Sequence, residues 1–104
     1  MTVKYNMPEL YYRASRICRA LGNPTAYSIL KIIGRGKRQP SELKDILNLS
    51  LPTICVCLRN LRNLDLIRYD NLRQGKSYYI KDRTVLDLLE HIEALVGKIQ
   101  QADY

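Results

Sequence analysis

Apolar positions along this chain fall into blocks whose period changes from segment to segment. Between about 8 and 21, Leu10, Ala14, Ile17, Cys18 and Leu21 recur at i, i+4, i+7, i+8 and i+11, the spacing of one helical face. Gly22 closes that block. Asn23 before Pro24 opens a second helix. Asparagine accepts a hydrogen bond from a free N–H of the first turn, and proline at the first position lacks an N–H that would have had no partner. Ala26, Ile29, Leu30 and Ile33 form the inner stripe of this helix, and Gly34 stops it. Residues 34–40 (GRGKRQP) read as a loop from their glycines, proline and charges. Ser41 caps a short third helix with Leu43, Ile46 and Leu47 inward. Asn48, Leu49 and Ser50 make a tight turn. A fourth helix follows over about 51–64, with Ser50 as cap, Pro52 in its first turn, and Ile54, Cys57, Leu58, Leu61 and Leu64 as its stripe.

The chemistry then changes. Residues 66–69 (LIRY) and 77–80 (SYYI) read as strands on either side of a polar segment with Gly75 near its tip, a β-hairpin over about 66–80. A long helix runs from 84 to about 101, with Thr84 and Asp87 at capping-box spacing. Its stripe is Val85, Leu88, Leu89, Ile92, Leu95, Val96 and Ile99. The predicted fold is mainly α with a small β-hairpin, in the order helix, helix, helix, helix, strand, strand, helix. Two helices joined by a tight turn and followed by a basic hairpin make a winged helix-turn-helix. In that arrangement the third helix crosses a DNA backbone, the fourth enters the major groove, and the hairpin is the wing.

A length of 104 residues makes this one domain, spanning 1–104. The absence of any run of about 18 apolar residues excludes a transmembrane helix. Residues 1–10 carry proline and charges in place of an apolar run, so no secretory signal is expected and the protein is expected in the cytoplasm. There a disulfide framework is not expected from three cysteines. The net charge of +7 suggests a polyanionic partner. Its distribution sharpens that suggestion. Arg35, Lys37, Arg38, Lys44, Arg59, Arg62, Arg68, Arg73 and Lys76 crowd the helix-turn-helix and hairpin, whereas the last helix carries Asp87, Glu90 and Glu93. A lone charge run is usually only a solvated surface; coincidence with a helix-turn-helix pattern favours double-stranded DNA. With a single histidine and neither a glycine-rich phosphate loop nor a recognisable nucleophile–base pair, an enzyme is not expected.

Three runs, in order and correctly spaced, resemble the ArsR/SmtB family of small repressors. They are residues 20–25 (ALGNPT) with Ile29 and Leu30, residues 49–54 (LSLPTI) leading to Leu58, Leu61, Leu66 and Ile67, and Gly75–Lys76 with Tyr78–Tyr79. The likeness covers about 16–93. It implies a homodimer built on the first and last helices, a palindromic operator, and a repressor role. The chain departs from the family pattern at Ala26, where an arginine is usual, at Leu51, Cys55, Val56 and Cys57 in the fourth helix, and at Asp65, where a glycine is usual. These departures bear on the DNA sequence read and the signal sensed, not on the fold.

Docked as in the family, Thr53, Val56, Arg59 and Asn60 face the groove. Thr53 and Val56 offer methyl groups to thymine, Asn60 suits adenine, and Arg59 suits guanine or phosphate. Arg62, Arg73, Lys76 and Lys44 are candidates for the DNA surface, the hairpin pair Arg73 and Lys76 mainly for phosphates. Plain solvent exposure is the alternative for Asn60.

The candidate sensing residues are Cys18, Cys55 and Cys57. Two positions apart on a helix is about 200° around its axis, so Cys55 and Cys57 do not both grip one ion unless the helix unwinds. Cys57 and Cys18 read as small buried hydrophobes. Cys55 lies off the stripe, near a helix N-terminus and Arg59, and is the better candidate for a thiol-reactive or soft-metal signal. The family's arsenite motif in the third helix is absent from residues 41–45, and the last helix has His91 but no second histidine, so its usual zinc site is not expected. No cofactor is required; a soft metal or metalloid ion stays open as a ligand. Two alternatives remain: a winged-helix module for a protein partner, and a DNA-binding regulator with no small-molecule sensor.

Overall fold

The structure, a computed structural model, describes residues 7–103. Seven elements follow in the expected order: α1 (Glu9–Leu21), α2 (Pro24–Ile33), α3 (Pro40–Leu47), α4 (Leu51–Asn63), β1 (Ile67–Leu72), β2 (Gly75–Ile80) and α5 (Arg83–Asp103). Asn23 caps α2, its side chain accepting the Ala26 N–H at 3.0 Å. Ser50 caps α4 by accepting the Thr53 N–H at 3.3 Å, with Pro52 in the first turn. Between α3 and α4, Asn48 adopts a left-handed conformation (φ 55°). Asparagine visits that region more readily than most residues, which lets the chain reverse tightly.

Several local expectations are corrected. Ser41 is not the cap of α3; the helix starts at Pro40 with Gln39 as N-cap, and the Gln39 N–H donates to Glu42 Oε1 at 2.8 Å. Ile46 is exposed, while Leu43 is fully buried and Leu47 half-buried. A helix of two turns touches the core along one narrow row, and Ile46 lies about 100° around the axis from Leu47. Thr84 does not cap α5: the Asp82 carboxylate accepts the Thr84 N–H at 2.9 Å. The segment at 34–40 is not only a loop. Arg38 pairs with Tyr78 through two backbone hydrogen bonds of 3.1 and 2.8 Å, an isolated bridge beside the hairpin.

The hairpin is also tighter and longer than its sequence suggests. Strand pairing runs from Ile67 opposite Ile80 to Leu72 opposite Gly75, leaving Arg73 and Gln74 as the turn. Its positive φ (134°) falls on Gly75. Opposite each other at mid-hairpin, Tyr69 and Tyr78 hold their rings 5.3 Å apart, a favourable tilted pair. Asp65, which stands where a glycine was expected from the resemblance, adopts φ 63° and turns α4 into β1. Its carboxylate is held by Lys81 and Arg68 and sits below the usual carboxylate range, chiefly through the Lys81 hydrogen bond.

Ile29, Leu30, Leu43, Ile54, Leu58, Leu61, Ile67 and Leu89 are fully buried and join α2, α3, α4, β1 and α5 around one core. At α2 and α5, Tyr27 donates to Glu93 Oε2 at 2.6 Å and Lys31 binds Glu93 Oε1 at 3.0 Å. The outer ends of the helix pair α1 and α5 find no such cover. Leu10 is 73% exposed, Leu95 56% and Ile99 55%. The radius of gyration, 16.1 Å, exceeds the about 13 Å of a compact domain this size because these helices project.

Candidate nucleic-acid interface

The buried stripe of α4 (Ile54, Leu58, Leu61) fixes which of its residues face out. Val56, 49% exposed, lies opposite that stripe, and Thr53, Arg59, Asn60 and Arg62 are exposed around it. The Thr53 hydroxyl is engaged at the cap, 2.8 Å from the Ser50 hydroxyl, so its methyl group is the part left for a neighbour. Lys44, Arg73 and Lys76 are exposed as well.

Ion pairing sorts the cations that the sequence had grouped together. Lys37 binds Asp70 at 2.6 Å and lies 4.9 Å from the centroid of the Tyr79 ring. Its ammonium is held above the usual lysine range by that carboxylate. Arg68 and Lys81 share Asp65, and Lys44 lies 3.6 Å from Asp45. By contrast Arg59, Arg62, Arg73 and Lys76 enter no ion pair among the described residues. Three of them, Arg59, Arg62 and Lys76, line a cleft of about 450 Å³ between α4 and the hairpin. Tyr69 brings two of these together: Arg62 Cζ is 5.6 Å and Lys76 Nζ 4.6 Å from its ring centroid. A ring quadrupole attracts both cations, so one aromatic residue links the helix to the wing. Sequence reasoning passed over Tyr69; the signal for it was the cross-strand position it shares with Tyr78.

The cysteines separate as helical geometry requires. Cys55 is half-buried and lines the wing-side cleft with Arg59 and Arg62. Cys57 is half-buried, packs against the core, and lines a different cleft toward α1; burial pushes its thiol pKa up. Cys18 is exposed, which corrects its reading as a buried hydrophobe: α1 lies against the core only toward its C-terminal end, through Ile17, Ala20 and Leu21. Asn60 also lines the α1-side cleft, whereas Arg59 lines the wing-side one, so these two adjacent candidates diverge. His91 has its Nδ1 2.7 Å from the Asp87 carbonyl oxygen. Among the described residues no three histidine, cysteine or carboxylate side chains gather where one ion would reach them, so the described donors of one protomer do not by themselves make a metal-binding set. No described helix is long and apolar enough to cross a membrane.

No family model and no curated protein matches the sequence. Solved structures do match. The homodimeric winged helix-turn-helix DNA-binding domain of Mb0332 from Mycobacterium bovis, described as a possible ArsR-family transcriptional regulator, is 19% identical. The match covers 94% of this chain and 92% of that one with a TM-score of 0.81. Rv0081 of M. tuberculosis is 18% identical over 92% of this chain and 97% of its own, with a TM-score of 0.85. The transcriptional regulator HlyU from Vibrio vulnificus is 22% identical over 84% and 91%, with a TM-score of 0.71. Element order, hairpin register and these likenesses agree on the architecture: this chain is a winged helix-turn-helix domain with the fold of ArsR-type transcriptional regulators.

Proposed function

We propose that the chain is a sequence-specific DNA-binding transcriptional regulator, a homodimeric repressor of the ArsR type. The supporting observation is the sorting of charge: among the described residues Arg59 and Arg62 on α4 and Arg73 and Lys76 on the hairpin are free of carboxylates, while Lys31, Lys37, Lys44, Arg68, Lys81 and Arg83 are tied to them. Free guanidinium and ammonium groups on an exposed helix and the adjoining wing suit a phosphate backbone, and Val56, Thr53, Arg59 and Asn60 then read base edges. The apolar faces left open on α1 and α5 suit a second copy of the chain, and the Mb0332 domain is itself described as homodimeric.

A titration of the reduced, metal-free protein tests this reading. Duplex DNA from upstream of its own gene is compared with random duplex at two salt concentrations. Tight binding to the upstream duplex alone, falling steeply with salt, is expected. Equal and weak binding to both overturns the reading of the free protein as the DNA-binding form, in favour of a protein-interaction module or a repressor that needs a ligand to bind.

The signal proposed is a thiol reagent acting at Cys55. A group added to that sulfur enters the cleft shared by Arg59, Arg62 and Lys76 and competes with DNA there. Cys55→Ser should abolish release of DNA by thiol reagents. An unchanged response excludes Cys55, and no response in the parent protein favours a regulator without such a sensor.

A further inference from the structure

We propose that the cleft between α1, the start of α2 and α4 binds a small organic carboxylate with an apolar body, and that its occupancy weakens DNA binding. The cleft, open to solvent on one side, offers about 510 Å³, within the range of small-molecule sites. Arg16 and Arg19 reach it from α1, three positions apart and so on one helix face. Asn60 and Asn63 reach it from α4 with the same spacing. No carboxylate side chain lines it, and neither arginine enters an ion pair among the described residues.

The chemistry of the walls selects the ligand. Two guanidinium groups on one face suit a carboxylate, which arginine binds in a two-pronged, charge-assisted way. Carboxamides opposite them supply further donors. Beneath, Leu61 and Ala26 are buried and Leu64 half-buried, an apolar floor for a hydrocarbon or aromatic body. A free phosphate uses the arginines but leaves that floor wet. Arg16 and Arg19 are exposed, but they edge a concavity lined by α1, α2 and α4 and by no hairpin residue, on the side of α4 away from the wing. A small ligand therefore fits better than nucleic acid.

The regulatory part rests on the DNA-reading role of α4 proposed above. Asn60 and Asn63 belong to that helix, so a bound carboxylate engages a candidate base-reading side chain and brings negative charge toward the DNA. Binding and regulation are tested apart. Uniformly ¹⁵N-labelled protein without DNA is titrated with sodium benzoate at constant ionic strength, with benzyl alcohol as the neutral control. Saturable shifts are expected at the amides of Ser15, Arg19, Asn60 and Leu64, with half-saturation below about 10 mM, and none with benzyl alcohol. An R16A/R19A double variant should lose them; R16Q/R19Q serves if the first melts early. At saturation benzoate should weaken binding of the parent protein to its operator by about fivefold or more, and that of the variant not at all. Absence of shifts at those amides overturns the site, as do equal shifts with benzyl alcohol. Reduced operator affinity and a shallower salt dependence in the double variant without benzoate would assign the arginines to the DNA backbone and overturn the proposal. Shifts without any change in operator affinity would overturn its regulatory half.

Discussion

Replacing Lys76 with alanine separates phosphate contact from general positive charge. Lys76 is exposed on β2, enters no ion pair among the described residues, and sits 4.6 Å from the centroid of the Tyr69 ring on the rim of the α4–hairpin cleft. If Arg62, Arg73 and Lys76 of each protomer each neutralise one phosphate, a dimer makes about six such contacts. The slope of log affinity against log salt is then about −5.4. Between 50 and 200 mM salt such a dimer loses about 10³-fold in affinity. Lys76→Ala removes two contacts per dimer, which moves the slope to about −3.6 and the loss over the same interval to about 150-fold. Arg83→Ala is the control. It removes the same charge, but Arg83 opens α5 and pairs with Asp87 at 3.7 Å, so its slope should stay near the parent value. Fluorescence anisotropy with a labelled operator duplex over that salt range reads both slopes. An unchanged slope for Lys76→Ala, or an equal fall for Arg83→Ala, refutes the sorting of cations by ion pairing.

Other outcomes follow from the same geometry. Asn48→Ala should cost about 1–2 kcal/mol in urea unfolding and Asn48→Gly much less, because the left-handed turn at φ 55° is closed to alanine. Tyr27 is raised from 10.0 to about 12, first by burial and then by Glu93, so its contribution to stability is complete below pH 10 and is lost as pH rises toward 12. Unfolding free energies across that window should fall less steeply in Tyr27→Phe. The partner carboxylate, Glu93, is held low by Tyr27 and Lys31, and its contribution should be present above its ordinary value of 4.5 and lost as pH falls through the lower folded value. A Leu95→Glu, Ile99→Glu variant places charge on the open face of α5 and should sediment as a monomer with most of its operator affinity gone; a dimer of unchanged affinity would show that α5 is not the interface.

The helical stripes of α2 and α4 were legible because their apolar spacing, N-caps and first-turn prolines all favour one local state. The hairpin was legible in kind but not in length. Polar residues 70–76 read as a loop, yet Asp70, Asn71 and Lys76 pair across the strands, since backbone hydrogen bonding is indifferent to exposed side chains. The Arg38–Tyr78 bridge was invisible for a similar reason: it joins residues forty positions apart through backbone atoms alone.

The candidate interface shows the same division. Which residues lie off the α4 stripe follows from helical periodicity and was readable in advance. Which cations are free does not, because Lys37 and Lys76 are alike in sequence and only folding brings Asp70 to one and leaves the other beside Tyr69. The cleft holding Arg16, Arg19, Asn60 and Asn63 likewise exists only once folding brings α1 and α4 to opposite walls of one concavity. Sequence by itself determined the elements, their order and the broad location of positive charge, because these depend on neighbours within a few residues. Tertiary structure decided charge pairing, the separation of Cys55 from Cys57 into different clefts, and the faces of α1 and α5 left open, because each depends on which distant segments come into contact.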